Sequence, residues 1–232
     1  MEYKYKIAEA FDSVEGEGKR SGMPTSFVRL SGCNLRCSYC DTSFALSDEE
    51  YWLMSTDEIL SRLNRNFMRV TLTGGEPLIT PDVEELVQAM VSEGFEVNIE
   101  TNGSINIRTF LGRLPQVAHA HAKGRLFLTI DYKLPTSGHC DDMIFSNYMG
   151  LTPWDVIKFV VGNQEDISEM LSLLRRIQQH YIVMPQIFIG AVYDGFHYKE
   201  LAKVILNDPL LKDAHLQLQI HKIIWGPEVR GV

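Results

Sequence analysis

Short apolar runs alternate with amphipathic stretches along most of this chain of 232 residues. Each apolar run is about four to eight residues long, which is typical of a buried strand. The runs predict about six strands, at residues 69–73, 96–100, 126–131, 156–161, 186–190 and 215–220, after a β-rich segment at 25–30. Because strand and helix signals alternate instead of forming separate blocks, the sequence favours an α/β fold with a mostly parallel sheet.

The amphipathic stretches predict helices between these strands. The first helix begins at a capping-box pair, Ser55 and Glu58. The second has Thr80 as its N-cap and Pro81 at its first helical position, and it ends before Gly94. A third, longer helix is predicted after residue 161. The residues expected to be buried are Ile59, Leu60 and Leu63 in the first helix; Val83, Leu86, Val87, Met90 and Val91 in the second; and Ile167, Met170, Leu171, Leu174 and Ile177 in the third.

Composition and charge narrow the functional classes. A hydrophobic content of 45% over this length fits one globular domain spanning residues 1–232. No apolar run approaches the roughly 20 residues that a membrane span needs, and residues 1–6 lack the apolar core of a signal peptide, so we expect a cytoplasmic protein without membrane contact. A net charge of -8 argues against a nucleic-acid partner, which requires a basic face, and favours a small substrate.

Three of the four cysteines, Cys33, Cys37 and Cys40, lie within eight residues in a polar segment. Structural zinc normally takes four protein ligands, and no second Cys or His pair with metal-binding spacing follows. Three thiolates on a four-iron cluster leave one iron open for a substrate or cofactor. Incidental buried cysteines are the alternative, although core packing does not explain this clustering. Cys140 stands alone and is expected to be an unpaired loop thiol in a reducing compartment.

A glycine-rich turn follows the predicted strand 69–73. Gly74 and Gly75 allow a ligand to approach the backbone closely, and the Glu76 carboxylate can accept a hydrogen bond from an ammonium group. By itself this is weak evidence, since such turns are common. Polar residues also stand at or after the ends of later strands: Glu100, Asp131 and Lys133. Solvated loop charges are the more common meaning of such residues.

Together, the Cys-x3-Cys-x2-Cys loop and the Gly-Gly-Glu-Pro turn resemble the radical S-adenosylmethionine (SAM) superfamily. This resemblance implies an open, partial TIM-like barrel of about six strands, with the active site at the carboxyl ends of the strands. It also implies a [4Fe–4S] cluster on the three cysteines that chelates SAM and supplies one electron to cleave it. An external electron donor such as flavodoxin or ferredoxin is expected. The resemblance assigns SAM contacts to Gly74, Gly75, Glu76, Asp131 and Lys133.

Five further segments resemble the 7-carboxy-7-deazaguanine synthase family: residues 11–18, 26–33, 40–42, 221–226 and 230–232. That family contracts the ring of 6-carboxy-5,6,7,8-tetrahydropterin to 7-carboxy-7-deazaguanine with loss of ammonia, a carbon–nitrogen lyase reaction on the route to queuosine. It also implies a homodimer, for which Trp154 and the tract 223–225 are candidate contacts. Two departures stand out: Glu15 replaces a Gln that is common in the family, and 131–133 replaces a Ser-Pro-Lys run.

A carboxypterin needs hydrogen-bond acceptors for its ring N–H groups and a cation for its carboxylate. The candidates are Glu15, Glu17, Arg29, Glu100 and His221, although glutamates beside glycine are usually exposed turn residues and a strand arginine usually pairs locally. By the same resemblance, Thr42 contributes an oxygen to a Mg²⁺ that also contacts the substrate carboxylate. The final residues, beyond Trp225, are expected to close over the substrate.

Two rival interpretations remain open from sequence. One is an activase that installs a glycyl radical on a partner protein and has a similar cysteine loop. Such activases typically have His-Asn after the third cysteine, where Asp41 and Thr42 stand here. The other is a non-enzymatic metal-binding module, which the missing fourth ligand and the turn at Glu76 argue against.

Overall fold

A computed structural model describes residues 3–46 and 50–232, and a nine-stranded sheet runs through these residues in the order β3-β1-β2-β4-β5-β6-β7-β8-β9. The strands are β1 (Lys4–Val14), β2 (Pro24–Leu30), β3 (Trp52–Ser55), β4 (Arg69–Gly74), β5 (Glu96–Thr101), β6 (Leu126–Asp131), β7 (Val156–Val161), β8 (Gln186–Ala191) and β9 (His215–Leu216). The helices are α1 (Thr56–Arg62), α2 (Val83–Ser92), α3 (Ile107–Gly112), α4 (Ala118–Ala122), α5 (Gln164–Gln178), α6 (Tyr198–Asn207) and α7 (Ile220–Ile224).

The predicted fold class is confirmed: the sheet is open, mostly parallel and interleaved with helices. β2 and β4 to β9 pair in parallel, and β3 and β9 are the two edges. The sheet has more strands than the six or so expected, because β1 and β3 add an antiparallel edge that the hydrophobic pattern did not predict. No helix in the described ranges is long and apolar enough to cross a membrane.

Two predicted element boundaries are wrong. α2 begins at Val83 rather than after Thr80, because Asp82 has a left-handed backbone with φ of 55°, through which a right-handed helix cannot continue; residues 77–79 form a separate 3-10 turn. Pro81 therefore lies before the helix. The strand predicted at 215–220 stops at Leu216, because the polar groups that follow bond to residues 16–18 and α7 begins at 220. By contrast, α1 has the predicted capping box, with both reciprocal hydrogen bonds formed.

Alternation along the strands gives the sheet one apolar and one polar face. The apolar face packs under the helices with side chains that are almost fully buried: Val28, Leu30, Val70, Leu72, Val97, Ile99, Leu128, Ile130, Ile157 and Phe159. The other face, here called the polar face, carries Arg29, Thr71, Thr73, Asn98, Glu100, Thr129, Asp131 and Lys158, which the parallel register places side by side. A row of hydrogen-bonding groups inside a partial barrel is suited to binding a polar ligand.

The loop after β1 closes the amino ends of the parallel strands. Arg20 is 3% exposed and donates to the backbone oxygens of Val70 and Glu96, at 3.1 and 3.2 Å. Lys19 Nζ donates to Trp154 O at 2.8 Å. Because these carbonyls lie at or just before the starts of β4, β5 and β7, the loop covers this end of the barrel. Ligands must therefore enter from the carboxyl ends, where parallel sheets commonly bind them.

Candidate active site

The three-cysteine loop leaves the carboxyl end of β2. Cys33, Cys37 and Cys40 are free thiols and are half-buried, and burial raises the pKa of Cys33 and of Cys37. The loop is held by its own arginine: Arg36 Nη1 donates to the carbonyl oxygens of Cys33 and Leu35 at 2.8 and 2.7 Å. Three reduced thiols are thus presented on one restrained loop at the open end of the barrel.

The glycine-rich turn after β4 packs directly against this loop. Gly75 N donates to Leu30 O at 3.1 Å, and Glu76 N donates to Gly32 O at 2.9 Å. A Cβ atom on Gly75 would lie 2.7 Å from Cys33 Cβ and would overlap the Gly32 carbonyl. Glycine is therefore required here for the two loops to meet.

The Glu76 side chain faces β5. It has no exposed surface and accepts from Leu78 N at 2.9 Å, Thr101 Oγ1 at 2.8 Å and Asn102 N at 2.6 Å. Burial raises its pKa to about 7. The family resemblance predicts that this carboxylate contacts the ammonium group of SAM, and in the fold three protein donors also surround it. One of these donors, Asn102, also places its Nδ2 3.8 Å from Cys33 Sγ. The contact between Glu76 and the ammonium group of SAM stays a prediction.

Asp131 and Lys133 meet the cysteine loop at the end of β6. Lys133 Nζ donates to Asp131 Oδ2 at 2.8 Å and lies 5.9 Å from the centre of the Tyr39 ring. Burial acts to lower the pKa of Lys133, but the combined attraction of Asp131, Tyr39 and Cys37 raises it above the usual value. Two buried polar atoms here, Asp131 Oδ1 and Tyr39 Oη, have no hydrogen-bond partner among residues 3–46 and 50–232. Unpaired buried polar atoms are rare in proteins, so they mark a place where ligand polar groups fit.

The three predicted acidic substrate residues come together on the polar face. Glu15, Glu17 and Glu100 line one narrow space with Asn98 and Thr129. Glu15 accepts from Thr71 Oγ1 at 2.6 Å and from Arg20 Nη2 at 3.3 Å, and Glu100 accepts from Thr73 Oγ1 at 2.8 Å. Burial, and then the neighbouring Glu100, raise the pKa of Glu15 to about 7.

Lys158 is a cation of this cleft that sequence analysis did not single out. It lies on β7, pairs in register with Asp131, and forms an ion pair with Glu17. Gln219 Nε2 holds the other oxygen of Glu17 at 2.7 Å. Burial acts to lower the pKa of Lys158, but Glu17 and Asp131 raise it well above the usual value. In sequence, Lys158 is one polar residue in an apolar run, and only the register of the sheet brings it into the cleft.

Arg29 lies on the polar face and binds Glu9 of β1, at 2.8 Å. The same carboxylate accepts from Arg230 Nε at 3.3 Å, and the Arg230 guanidinium lies 3.6 Å from the centre of the Phe44 ring. Arg29 is therefore paired with a local partner, Glu9. Arg230 binds the same carboxylate and so brings the final residues of the chain next to Arg29.

His221 lies in α7, beside the loop that follows β1. A Cβ atom on Gly16 would lie 2.7 Å from His221 Cγ, so the ring packs directly on that glycine. Burial lowers the pKa of His221. The next residue, Lys222, binds Asp41 Oδ2 at 2.8 Å. Residues 217–222 thus span from the β1 loop to the cysteine loop, as expected for a segment that borders the cleft.

Thr42 follows the last cysteine by two residues. Its Oγ1 donates to Asp41 Oδ1 at 3.1 Å, and a short 3-10 turn begins after it. Across the ranges 3–46 and 50–232, no three His, Cys, Asp or Glu side chains are close enough together to hold a single metal ion. Any Mg²⁺ at Thr42 would therefore depend on oxygen atoms of water and substrate for most of its ligands.

The residues predicted for a homodimer contact lie on the surface. Trp154 and Trp225 are each 46% exposed, and Ile223 is 71% exposed. Partial exposure is compatible with a partner subunit as well as with a free surface, so the homodimer stays a prediction.

Comparison with known proteins places this site in a family. The model of the radical SAM superfamily matches residues 27–121. The 7-carboxy-7-deazaguanine synthase of Clostridium acetobutylicum is 39% identical over 231 residues, covering 98% of this chain and 99% of that protein. The synthase of Methanospirillum hungatei is 37% identical over 224 residues, covering 96% of this chain and 86% of that protein.

Two solved structures share the fold. QueE from Escherichia coli matches with a TM-score of 0.72 at 22% identity, covering 93% of this chain and 94% of that chain. Streptococcus suis SuiB bound to S-adenosylmethionine matches with a TM-score of 0.52 at 15% identity, covering 74% of this chain and 43% of that chain. With the near full-length relatives, these similarities confirm the family resemblance found in the sequence: the chain is a radical SAM enzyme and belongs to the 7-carboxy-7-deazaguanine synthase family.

Proposed function

We propose that this protein converts 6-carboxy-5,6,7,8-tetrahydropterin into 7-carboxy-7-deazaguanine with loss of ammonia, and is therefore a carbon–nitrogen lyase. The observation that carries the proposal is the acidic polar face of the sheet, in a chain that also has a three-thiol loop and aligns with named synthases over 98% of its length. The substrate would lie on this face, above the loop that closes the amino ends of the strands.

The radical SAM family implies a [4Fe–4S] cluster and SAM, and the residues present fit both. A four-iron cluster bonds each thiolate to a different iron, and Cys33, Cys37 and Cys40 are the thiols available on one loop. The backbone of Gly74 and Gly75, with Asp131 and Lys133, would hold SAM, whose hydroxyl and ammonium donors suit the unpaired Asp131 Oδ1. When bound, this pair supplies the radical chemistry, and the chain binds and orients the substrate.

The departure at Glu15 is compatible with this reaction. A carboxyl group whose pKa is about 7 is protonated in a large fraction of molecules near neutral pH. A protonated carboxyl offers one donor and one acceptor, as the amide of a glutamine does. Glu15 can therefore hydrogen-bond a pterin edge much as glutamine would, with Glu100 and Glu17 as neighbouring acceptors and Lys158 as the cation for the substrate carboxylate.

The direct test is anaerobic turnover of the reconstituted protein with SAM, a reductant and 6-carboxytetrahydropterin. We expect 7-carboxy-7-deazaguanine and ammonia to form, as measured by mass spectrometry, and no product without SAM. Because loss of ammonia from the pterin leaves its oxidation level unchanged, a hydrogen atom taken from the substrate is returned, and product should exceed the amount of SAM cleaved. Cleavage of SAM at the same rate with and without the pterin, and no deazaguanine product, would contradict the proposed reaction.

A magnesium requirement is expected for this turnover. The proposed site offers one protein oxygen, from Thr42, so affinity depends strongly on that ligand. Thr42→Ala is expected to raise the Mg²⁺ concentration needed for half-maximal activity by about 10–100-fold. The neighbouring exposed hydroxyl of Ser43 provides a matched control, and Ser43→Ala should behave as the wild type. A wild-type rate that does not change on chelation and re-addition of Mg²⁺ rules the site out.

A further inference from the structure

A second segment of the chain, residues 136–142 after β6, packs on the cysteine loop. Ser38 N donates to Ser137 O at 3.1 Å, and Ser38 Oγ donates to Thr136 O at 2.7 Å. Arg36 N donates to His139 Nε2 at 3.0 Å. The glycine-rich turn holds the loop where it begins, at Gly32, whereas these three bonds hold it on both sides of Cys37.

The hydrogen bonds of His139 define which of its ring nitrogens carries the proton. Its Nδ1 lies 2.7 Å from Asp142 Oδ2. An ionised carboxylate only accepts hydrogen bonds, so Nδ1 is the donor. In the neutral ring Nε2 is then an acceptor, which matches the Arg36 N–H that points at it. Asp142 thus orients the imidazole, and the imidazole holds one backbone amide of the cysteine loop.

Arg36 is the residue through which this contact reaches the thiols. Its side chain binds the carbonyl oxygens of Cys33 and Leu35, and its backbone amide binds His139. The next residue is Cys37. Loss of the histidine acceptor would free the peptide that precedes Cys37, while the arginine side chain would still tie the loop to its first cysteine.

We propose that His139, oriented by Asp142, is a positioning residue for the iron–sulfur cluster. It fixes the direction of the Cys37 thiolate by holding the Arg36 amide, and it keeps that N–H from hydrogen-bonding a cluster sulfur. Outer-shell partners of metal ligands commonly determine affinity, and hydrogen bonds to sulfur change the reduction potential of a cluster. The proposal rests on the assignment of the cluster to Cys33, Cys37 and Cys40, and not on the identity of the substrate.

The test compares four full-length variants after anaerobic reconstitution. His139→Ala removes the acceptor, His139→Gln retains an acceptor oxygen, and Asp142→Ala removes only the group that orients the ring. His119→Ala is the control, because His119 is an exposed histidine on α4. Three quantities are measured: the rate of iron loss to a chelator, the cluster reduction potential by EPR-monitored titration, and hydrogen exchange of the Arg36 amide in the cluster-free protein.

His139→Ala is expected to lose iron about 10-fold faster or more, to shift the reduction potential upward, and to exchange the Arg36 amide faster. His139→Gln should restore these properties toward wild type. Asp142→Ala should give values between those of the wild type and His139→Ala, and His119→Ala should match the wild type. If His139→Ala does not fold, Asp142→Ala decides, because the Asp142 side chain is 53% exposed and its loss leaves the core intact.

The proposal would be overturned if both His139→Ala and Asp142→Ala retained iron, kept the reduction potential and exchanged the Arg36 amide as the wild-type protein does. A wild-type protein that takes up no iron would overturn the cluster assignment and this inference with it. A wild-type protein that binds the cluster but does not convert the pterin would contradict the proposed reaction alone.

Discussion

Cys37→Ala is expected to abolish cluster binding and to reduce turnover to background, whereas Cys140→Ala is expected to change neither. Cys37 lies at the open end of the barrel between two other free thiols of one loop. Since three thiolates leave one iron open, a missing ligand leaves the cluster with only two protein anchors. Iron and sulfide counting after anaerobic reconstitution measures the first effect, and formation of the deazaguanine product measures the second.

Cys140 is a matched control because it is also a half-buried thiol in the same part of the fold. Its Sγ lies 4.0 Å from Tyr132 Oη, in a one-turn 3-10 helix, Cys140–Asp142. Loss of the cluster in Cys140→Ala, or full activity of the wild-type protein with zinc alone, would show that the three-ligand assignment is wrong.

Removal of residues 227–232 is expected to leave the fold and the cluster intact but to uncouple SAM cleavage from product formation. These residues include Arg230, whose guanidinium lies on Phe44 and whose Nε binds the Glu9 carboxylate that also holds Arg29. Phe44 follows Thr42 closely in the loop beyond the cysteines. Without this cover, water and solvent donors reach a site where a reactive radical must be protected.

Two point variants separate a specific role of the tail from general packing. Arg230→Ala should reproduce most of the uncoupling, whereas Glu228→Ala, at an exposed position, should remain coupled. The ratio of 5′-deoxyadenosine to deazaguanine product is the measurement, with circular dichroism and iron content as checks on fold and cluster. Unchanged coupling in the truncated protein would mean that the tail only packs against the barrel.

Most of the parallel sheet could be predicted from sequence because its strands are short apolar runs. Parallel strands are buried by neighbouring helices, and this leaves a strong local signal. β1 escaped prediction because its register shifts between Ile7 and Glu9, which breaks the alternation: Ile7 pairs with Leu30, whereas Glu9 pairs with Arg29 of the polar face. The early end of β9 also has no local signal, since Gln217 accepts from Gly18 N, 199 residues away.

The candidate site also contains some residues that could be predicted from sequence and others that could not. The cysteines and the glycines after β4 were predictable because their chemistry depends on close sequence spacing. Lys158 was not, since it is an ordinary polar residue until the fold places it beside Glu17. The motif identified Glu76, but its protein partners Thr101 and Asn102 lie about 25 residues further along the chain and left no signal in the sequence around it.

The contacts between residues 15–20 and 217–222 have a consequence for how the enzyme is made. Gly18 bonds to Gln217, Glu17 to Gln219 and Gly16 to Ile220, so one wall of the cleft joins an early and a late part of the polypeptide. During synthesis the amino-terminal part folds first, and contacts this distant in sequence form last. The cysteine loop therefore leaves the ribosome well before the cleft is closed, and a cluster inserted at that stage would be open to oxygen.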